Sequence, residues 1–99
     1  MPENLFVYGI STDLDSGVLA GFKGLRGCPV DVVHAGRLCA VVSALRPDDV
    51  PSQRPSQDDA LAWNAVLEAV HRSAPVLPAS FGLVASSTGE VLALIERSA

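Results

Sequence analysis

Apolar positions along the chain fall into two periodicities. A period of two, or a continuous apolar run, marks Leu5–Ile10, Val30–His34, Leu38–Leu45 and Val76–Val84. A helical period marks Trp63, Val66, Leu67, Val70 and Ala74, and again Val91, Leu94 and Ile95. The spacing therefore predicts strands over 4–10, 29–34, 37–45 and 76–84, a helix over 56–74, and a closing helix that opens at Ser87-Thr88-Gly89-Glu90. Ser56-Gln57-Asp58-Asp59 and Ser87-Thr88-Gly89-Glu90 are capping boxes, the first with Asp in place of Glu. Asp58 and Asp59 in the first turn and His71 and Arg72 in the last match the dipole of the longer helix, which Pro75 ends.

Between the first two strands, Gly17, Gly21, Gly24 and Gly27 restrict any helix to one or two turns before a glycine-rich loop. Ala35-Gly36 is read as the two-residue loop of a hairpin. Arg46–Pro55, with three prolines and two aspartates, reads as a surface loop. The resulting order is the split βαβ pattern of a ferredoxin-like βαββαβ sandwich. It predicts an α+β domain with a four-stranded antiparallel sheet, helices on one face and an added C-terminal helix. Pro78 lacks an N–H and places the fourth strand at an edge or at a bulge. Both faces of the predicted sheet are apolar: Leu5 and Val7 alternate with Phe6 and Tyr8, and Ala40 and Val42 with Cys39 and Val41. Helices on one side leave the second face open. The pattern thus favours another domain, another copy or a partner on that face over wrapping by loops and the last helix.

At 99 residues the chain is one domain's worth. With 48% hydrophobic and 18% charged residues and a mean hydropathy of +0.32, it is too apolar for a disordered segment. Eleven acids against seven bases give a net charge of −4 and argue against a nucleic-acid partner. No apolar run approaches the ~20 residues of a membrane helix, and Glu3 sits where a signal peptide would be basic. The chain is expected to be soluble and cytoplasmic. Under the predicted hairpin register, Cys28 and Cys39 lie four residues apart, about 13 Å, too far for a disulfide. With no metal-ligand spacing, no metal and no cofactor is expected.

The chemistry-bearing residues form no catalytic constellation, and an enzyme is not expected. Gly21–Gly27 contains a G-x-x-G pattern with Lys23 and Arg26, but it leads into a strand rather than a helix N-terminus, so a phosphate cradle does not follow. His34 and His71 are isolated, as are Ser80, Ser86 and Ser87. The least generic segment is Pro75-Val76-Leu77-Pro78-Ala79-Ser80-Phe81-Gly82, a rigid strand ending in an aromatic residue and a glycine.

In order, Leu5–Ile10, Gly24-Leu25-Arg26-Gly27 with Pro29-Val30, Gly36–Ser43, Val66–Val70 and Pro75-Val76-Leu77-Pro78 with Phe81-Gly82 resemble the N-terminal domain of the GvpL/GvpF gas vesicle protein family. The resemblance covers nearly the whole chain. It implies a ferredoxin-like, non-enzymatic accessory protein of gas vesicle assembly, cytoplasmic or vesicle-associated. Such a protein binds the hydrophobic shell protein and other accessory proteins. Two departures stand out: Ser80 replaces the arginine usual before Phe-Gly, and the family's helical second domain does not follow in this sequence. Tyr8, Pro78, Phe81 and Gly82 are the candidate partner contacts, with the strand around Val76–Val84 offering an edge for β-augmentation. A different reading is a ferredoxin-like dimer, associated through the open sheet face, with a small-ligand pocket served by Tyr8 or His34. A third is RNA binding through Gly21–Gly27.

Overall fold

The computed structural model describes residues 4–12, 14, 16–46, 56–79 and 83–98. Among them, five strands and two α-helices form an α+β domain: β1 (Asn4–Thr12), β2 (Asp31–Ala35), β3 (Leu38–Leu45), α1 (Gln57–His71), β4 (Val76–Pro78), β5 (Val84–Ala85) and α2 (Thr88–Ser98). The sheet order is β2-β3-β1-β4, every pairing is antiparallel, and β5 pairs with β1 farther along the same edge as β4.

The first crossover departs from the βαββαβ expectation. Among the described residues no α-helix forms between β1 and β2; two 3-10 turns, Ser16–Leu19 and Leu25–Gly27, take its place. The cause is the glycine content of this stretch: each glycine weakens helix, and Gly21 and Gly27 adopt φ of +77° and +71°. The hairpin loop also shifts by one residue. Ala35 pairs with Leu38, so Gly36-Arg37 is the loop. Gly36 supplies the positive φ, +63°, that a type II′ turn needs at its first central position. Cys39 then faces His34, and Cys28 lies six residues farther along, about 20 Å. Neither cysteine is in a disulfide.

The predicted fourth strand is broken into β4 and β5. Ala79 N–H still donates to Tyr8 O at 3.0 Å, and Val7 N–H to Leu83 O at 2.9 Å, so pairing with β1 extends to Ala79 after β4 and begins at Leu83 before β5. The two helices lie on opposite faces. Val66 and Val70 of α1 pack with Phe6, Tyr8, Cys39, Val41 and Leu45, while Leu14, Leu19 and Leu25 from the crossover close that layer. Val91 and Ile95 of α2 pack with Leu5, Val7, Ala40, Val42 and Ala85. The second sheet face is therefore covered by the last helix, correcting the expectation of an open face and of helices confined to one side. Fully burying a Val or Leu side chain contributes roughly 1.5–3 kcal/mol, so α2 is held mainly by Val91 and Ile95.

Both predicted caps form. Ser56 Oγ accepts from Asp59 N–H at 3.2 Å, and Ser87 Oγ from Glu90 N–H at 3.2 Å. The Glu90 carboxylate accepts from Ser86 N–H at 2.6 Å, and this hydrogen bond holds its pKa below the usual glutamate value.

Candidate functional site

Tyr8 lies at an irregularity of the central strand. Val7 pairs with Val42 but Gly9 pairs with Val41, so Tyr8 is the extra residue of a β-bulge. Its ring lies on the α1 side, the same face as Phe6, and stands edge-on to it with centroids 5.1 Å apart. Its hydroxyl ends a buried chain of hydrogen bonds. Leu25 N–H donates to Tyr8 Oη at 3.0 Å, Tyr8 donates to Ser43 Oγ at 2.8 Å, and Ser43 donates to the Pro29 carbonyl at 2.9 Å. Gly24 passes so close that a Cβ there would meet the hydroxyl directly. Burial pushes the phenol pKa up, and the hydrogen bonds with Ser43 and Leu25 offset part of that rise. Tyr8 is 0% exposed and is thus a core anchor for the crossover, not a surface contact.

The same crossover uses Arg26 structurally. Arg26 stands at φ +55°, in the left-handed region, and forks onto Asp59 of α1: Nε to Oδ1 at 3.2 Å and Nη2 to Oδ2 at 3.3 Å. Asp59 is nearly buried, whereas the Arg26 side chain is half exposed. The pair ties the turn to the first turn of α1, where a carboxylate also meets the positive end of the helix dipole. Of the two basic residues in Gly21–Gly27, only Lys23 is exposed without an ion pair among the described residues. Nothing in the sequence spacing points to this pairing across 33 residues. Only the doubled aspartate at the helix start carries any signal.

Pro78 lies at the surface, as expected, on β4. Phe81, Gly82 and Ser80 lie outside the described residues. Around β4 the surface is apolar on one side and mixed on the other. Toward α2, two adjoining hollows of about 170 and 250 Å³ share Ile10 and Leu77; Ala79, Leu83 and Leu94 line the first, and Thr12, Leu38 and Val76 the second. Toward α1, a shallower cleft of about 550 Å³ runs between Leu67, Glu68, His71 and Arg72 of the helix and Val76 and Pro78. Pro78 therefore stands on a ridge between an apolar hollow and a cleft that Glu68, His71 and Arg72 make partly polar. Leu77 beside it is 65% exposed, the most exposed large apolar side chain among the described residues.

The hydrogen bonding of β4 bears on what the ridge can accept. Ala79 N–H points inward to Tyr8 O. By strand alternation Leu77 also points its N–H inward, and Val76 and Pro78 face outward. Pro78 has no N–H, so Val76 supplies the single outward donor of this three-residue strand. An incoming strand finds little to pair with, and β4 is a poor template for β-augmentation.

His34 is exposed on β2, remote in the sheet order from β4, and neither it nor Tyr8 lines the hollows above. Among the described residues no three His, Cys, Asp or Glu side chains come together as metal ligands, and no helix is long and apolar enough to cross a membrane.

The family model for the gas vesicle synthesis proteins GvpL/GvpF matches residues 4–99. The chain belongs to the GvpL/GvpF family. No curated protein and no solved structure matches it. Membership gives this GvpL/GvpF protein a role in gas vesicle assembly, in a family that is generally non-enzymatic. The segments that carry the resemblance converge on β1. Leu5–Ile10 is that strand, and Gly24–Gly27 is the turn hung from Tyr8. Gly36–Ser43 closes the hairpin and supplies β3, Val66–Val70 is the inner stripe of α1, and Pro75–Pro78 is the ridge. All but the last are fold determinants.

Proposed function

We propose that this GvpL/GvpF protein is a non-enzymatic accessory factor that binds the hydrophobic gas vesicle shell protein, and other accessory proteins, before the shell subunits join the wall. The family match over residues 4–99 carries this reading. A hydrophobic subunit in water aggregates unless its apolar surface is covered, and covering it requires an apolar surface of the binder's own. The ridge of Leu77 and Pro78 with its flanking hollows fits that need. Contact there is through side chains seated in the hollows, because Pro78 leaves β4 short of donors for strand pairing. Phe81 and Gly82 follow Pro78 in sequence, and we include them in the proposed contact. Tyr8 supports it from inside by fixing the strand on which β4 is paired. On this reading the fold is a ferredoxin-like unit whose first helix is reduced to 3-10 turns, and the protein works in the cytoplasm in association with the vesicle.

The test is co-purification with the major shell protein. Leu77→Asp places a charge on an exposed side chain and leaves the core intact. We expect it to lower shell-protein recovery about tenfold while circular dichroism and melting stay unchanged. Undiminished recovery would remove the ridge from the interface. Failure of the parent protein to recover any shell subunit would remove the binding role itself.

A further inference from the structure

We propose that the free edge of β2 pairs with β2 of a second copy, antiparallel about a two-fold axis at Val33, joining two sheets into one. The two edges of this sheet are built in opposite ways. β4 is short and interrupted by proline, which is how proteins blunt an edge. β2 has five residues, no proline and no lysine. Its beginning is covered: Phe22 O accepts from Val30 N–H at 3.2 Å, and Lys23 bridges Pro29. Beyond Val30 no backbone group among the described residues makes a hydrogen bond to its outer side.

The register follows from which groups are free. Ala35 and Leu38 close the hairpin as a hydrogen-bonded pair, so Asp31, Val33 and Ala35 direct their N–H and C=O to β3. Val30 donates outward, consistent with that alternation. The unused groups are therefore the N–H and C=O of Val32 and His34. An antiparallel copy centred on Val33 sets Val32 opposite His34 of the partner and uses all of these groups. A shift by two residues toward the N-terminus collides with Phe22, and the opposite shift strands Val32 beside the turn.

Side chains support the same arrangement. Charged Asp31 falls diagonally across from Arg37 of the partner, twice by symmetry, and both are exposed with no ion pair among the described residues. On the α2 face, half-buried Val33 lies at the axis. Leu94 flanks α2 on the β4 side, so Leu92, about 200° around the helix, flanks it on the β2 side, where it is half-buried too. Both would complete their burial against their own counterparts.

Val33 and its counterpart would form a non-hydrogen-bonded pair, with Cα atoms about 4.5 Å apart, a spacing a disulfide accepts. In a Cys28→Ser background, Val33→Cys should cross-link under mild oxidation at least tenfold faster than Asn64→Cys on the exposed side of α1. Sedimentation of the otherwise unaltered protein should show a monomer–dimer equilibrium. Arg37→Asp should weaken it about tenfold, and adding Asp31→Arg should restore it. A monomer at every concentration, with Val33→Cys no faster than the control, would overturn the proposal. So would a dimer indifferent to Arg37→Asp, or Val33→Cys that captures shell protein in preference to itself.

Discussion

Replacing Tyr8 by phenylalanine removes one buried oxygen and leaves the ring in place. Ser43 keeps its acceptor at the Pro29 carbonyl, so the group orphaned is Leu25 N–H. Leu25 is itself 0% exposed, and water cannot take the place of the hydroxyl. An unsatisfied buried donor costs about 1–3 kcal/mol, and we take about 2. Gly24→Ala attacks the same point from the other side. Gly24 has φ −105°, outside the left-handed region, so alanine there is opposed by the hydroxyl it meets. Overpacking of this kind costs about 1–3 kcal/mol. In the double variant the oxygen is gone, and the added methyl meets only the ring carbon Cζ and Val30 Cγ2, each at 3.1 Å. The two changes should therefore cost about 1–2 kcal/mol less together than the sum of their separate effects, well beyond the ~0.5 kcal/mol scatter of independent sites. Urea unfolding of the four proteins, followed by tryptophan fluorescence, measures the cycle, with each kcal/mol moving the midpoint by roughly half a molar. Additive costs would refute the claim that the crossover is built around this hydroxyl.

Tyr8 is the single tyrosine of the chain, so its ionisation can be read directly from phenolate absorbance. Its folded pKa lies above the ordinary 10.0, so its contribution is complete below pH 10 and is lost as pH rises through the folded value. Native protein should show little phenolate at pH 10, and Tyr8→Phe should flatten the alkaline fall in stability; a native titration at the ordinary value would contradict the burial. Arg26 separates an ion pair from a backbone conformation. Arg26→Ala loses the fork on Asp59 and keeps a residue with a Cβ at φ +55°, whereas Arg26→Gly relieves the backbone, so glycine should be the milder change by about 1 kcal/mol in urea midpoint. Equal costs would show that the left-handed turn stores no strain.

Elements with a long, regular apolar period are legible from the chain alone: β1, β3, α1 and α2 fall where the pattern puts them, with their caps. The crossover is legible only as a glycine-rich loop, because what shapes it is a hydrogen bond to Tyr8 and an ion pair to Asp59, both distant in sequence. The hairpin slips by one residue because Ala35-Gly36 and Gly36-Arg37 both offer glycine to a two-residue turn, and only the II′ geometry, with glycine first, selects the second. The apolar second face does need cover, as its pattern says, but the covering element is α2. The apolar stripe of that helix is visible in the sequence, yet period alone does not say which face a helix chooses. Tyr8 is misplaced for a related reason. Alternation does put it on the Phe6 face, but a period of two does not say that the crossover and α1 close over that face.

Pro78 lies on an edge strand, as its missing N–H predicts, but its effect on that edge is different from the one expected. Rigidity on an edge strand suggests a site open to pairing, but proline at an outward position closes the edge to a strand. The same residue, standing beside an exposed leucine between two hollows, suits a partner that brings side chains rather than backbone. The unguarded edge is β2, on the far side of the sheet, where the free groups are symmetric about Val33. A protein with one edge blunted and apolar and the other bare and self-complementary can bind a partner at the first while pairing with itself at the second. The two functions then predict separable variants: Leu77→Asp should lower shell-protein recovery about tenfold and leave the dimer intact, and Arg37→Asp should weaken the dimer about tenfold and leave shell-protein recovery intact. Loss of both by either substitution would mean that the two edges are not independent, and that one of the two surfaces has been assigned wrongly.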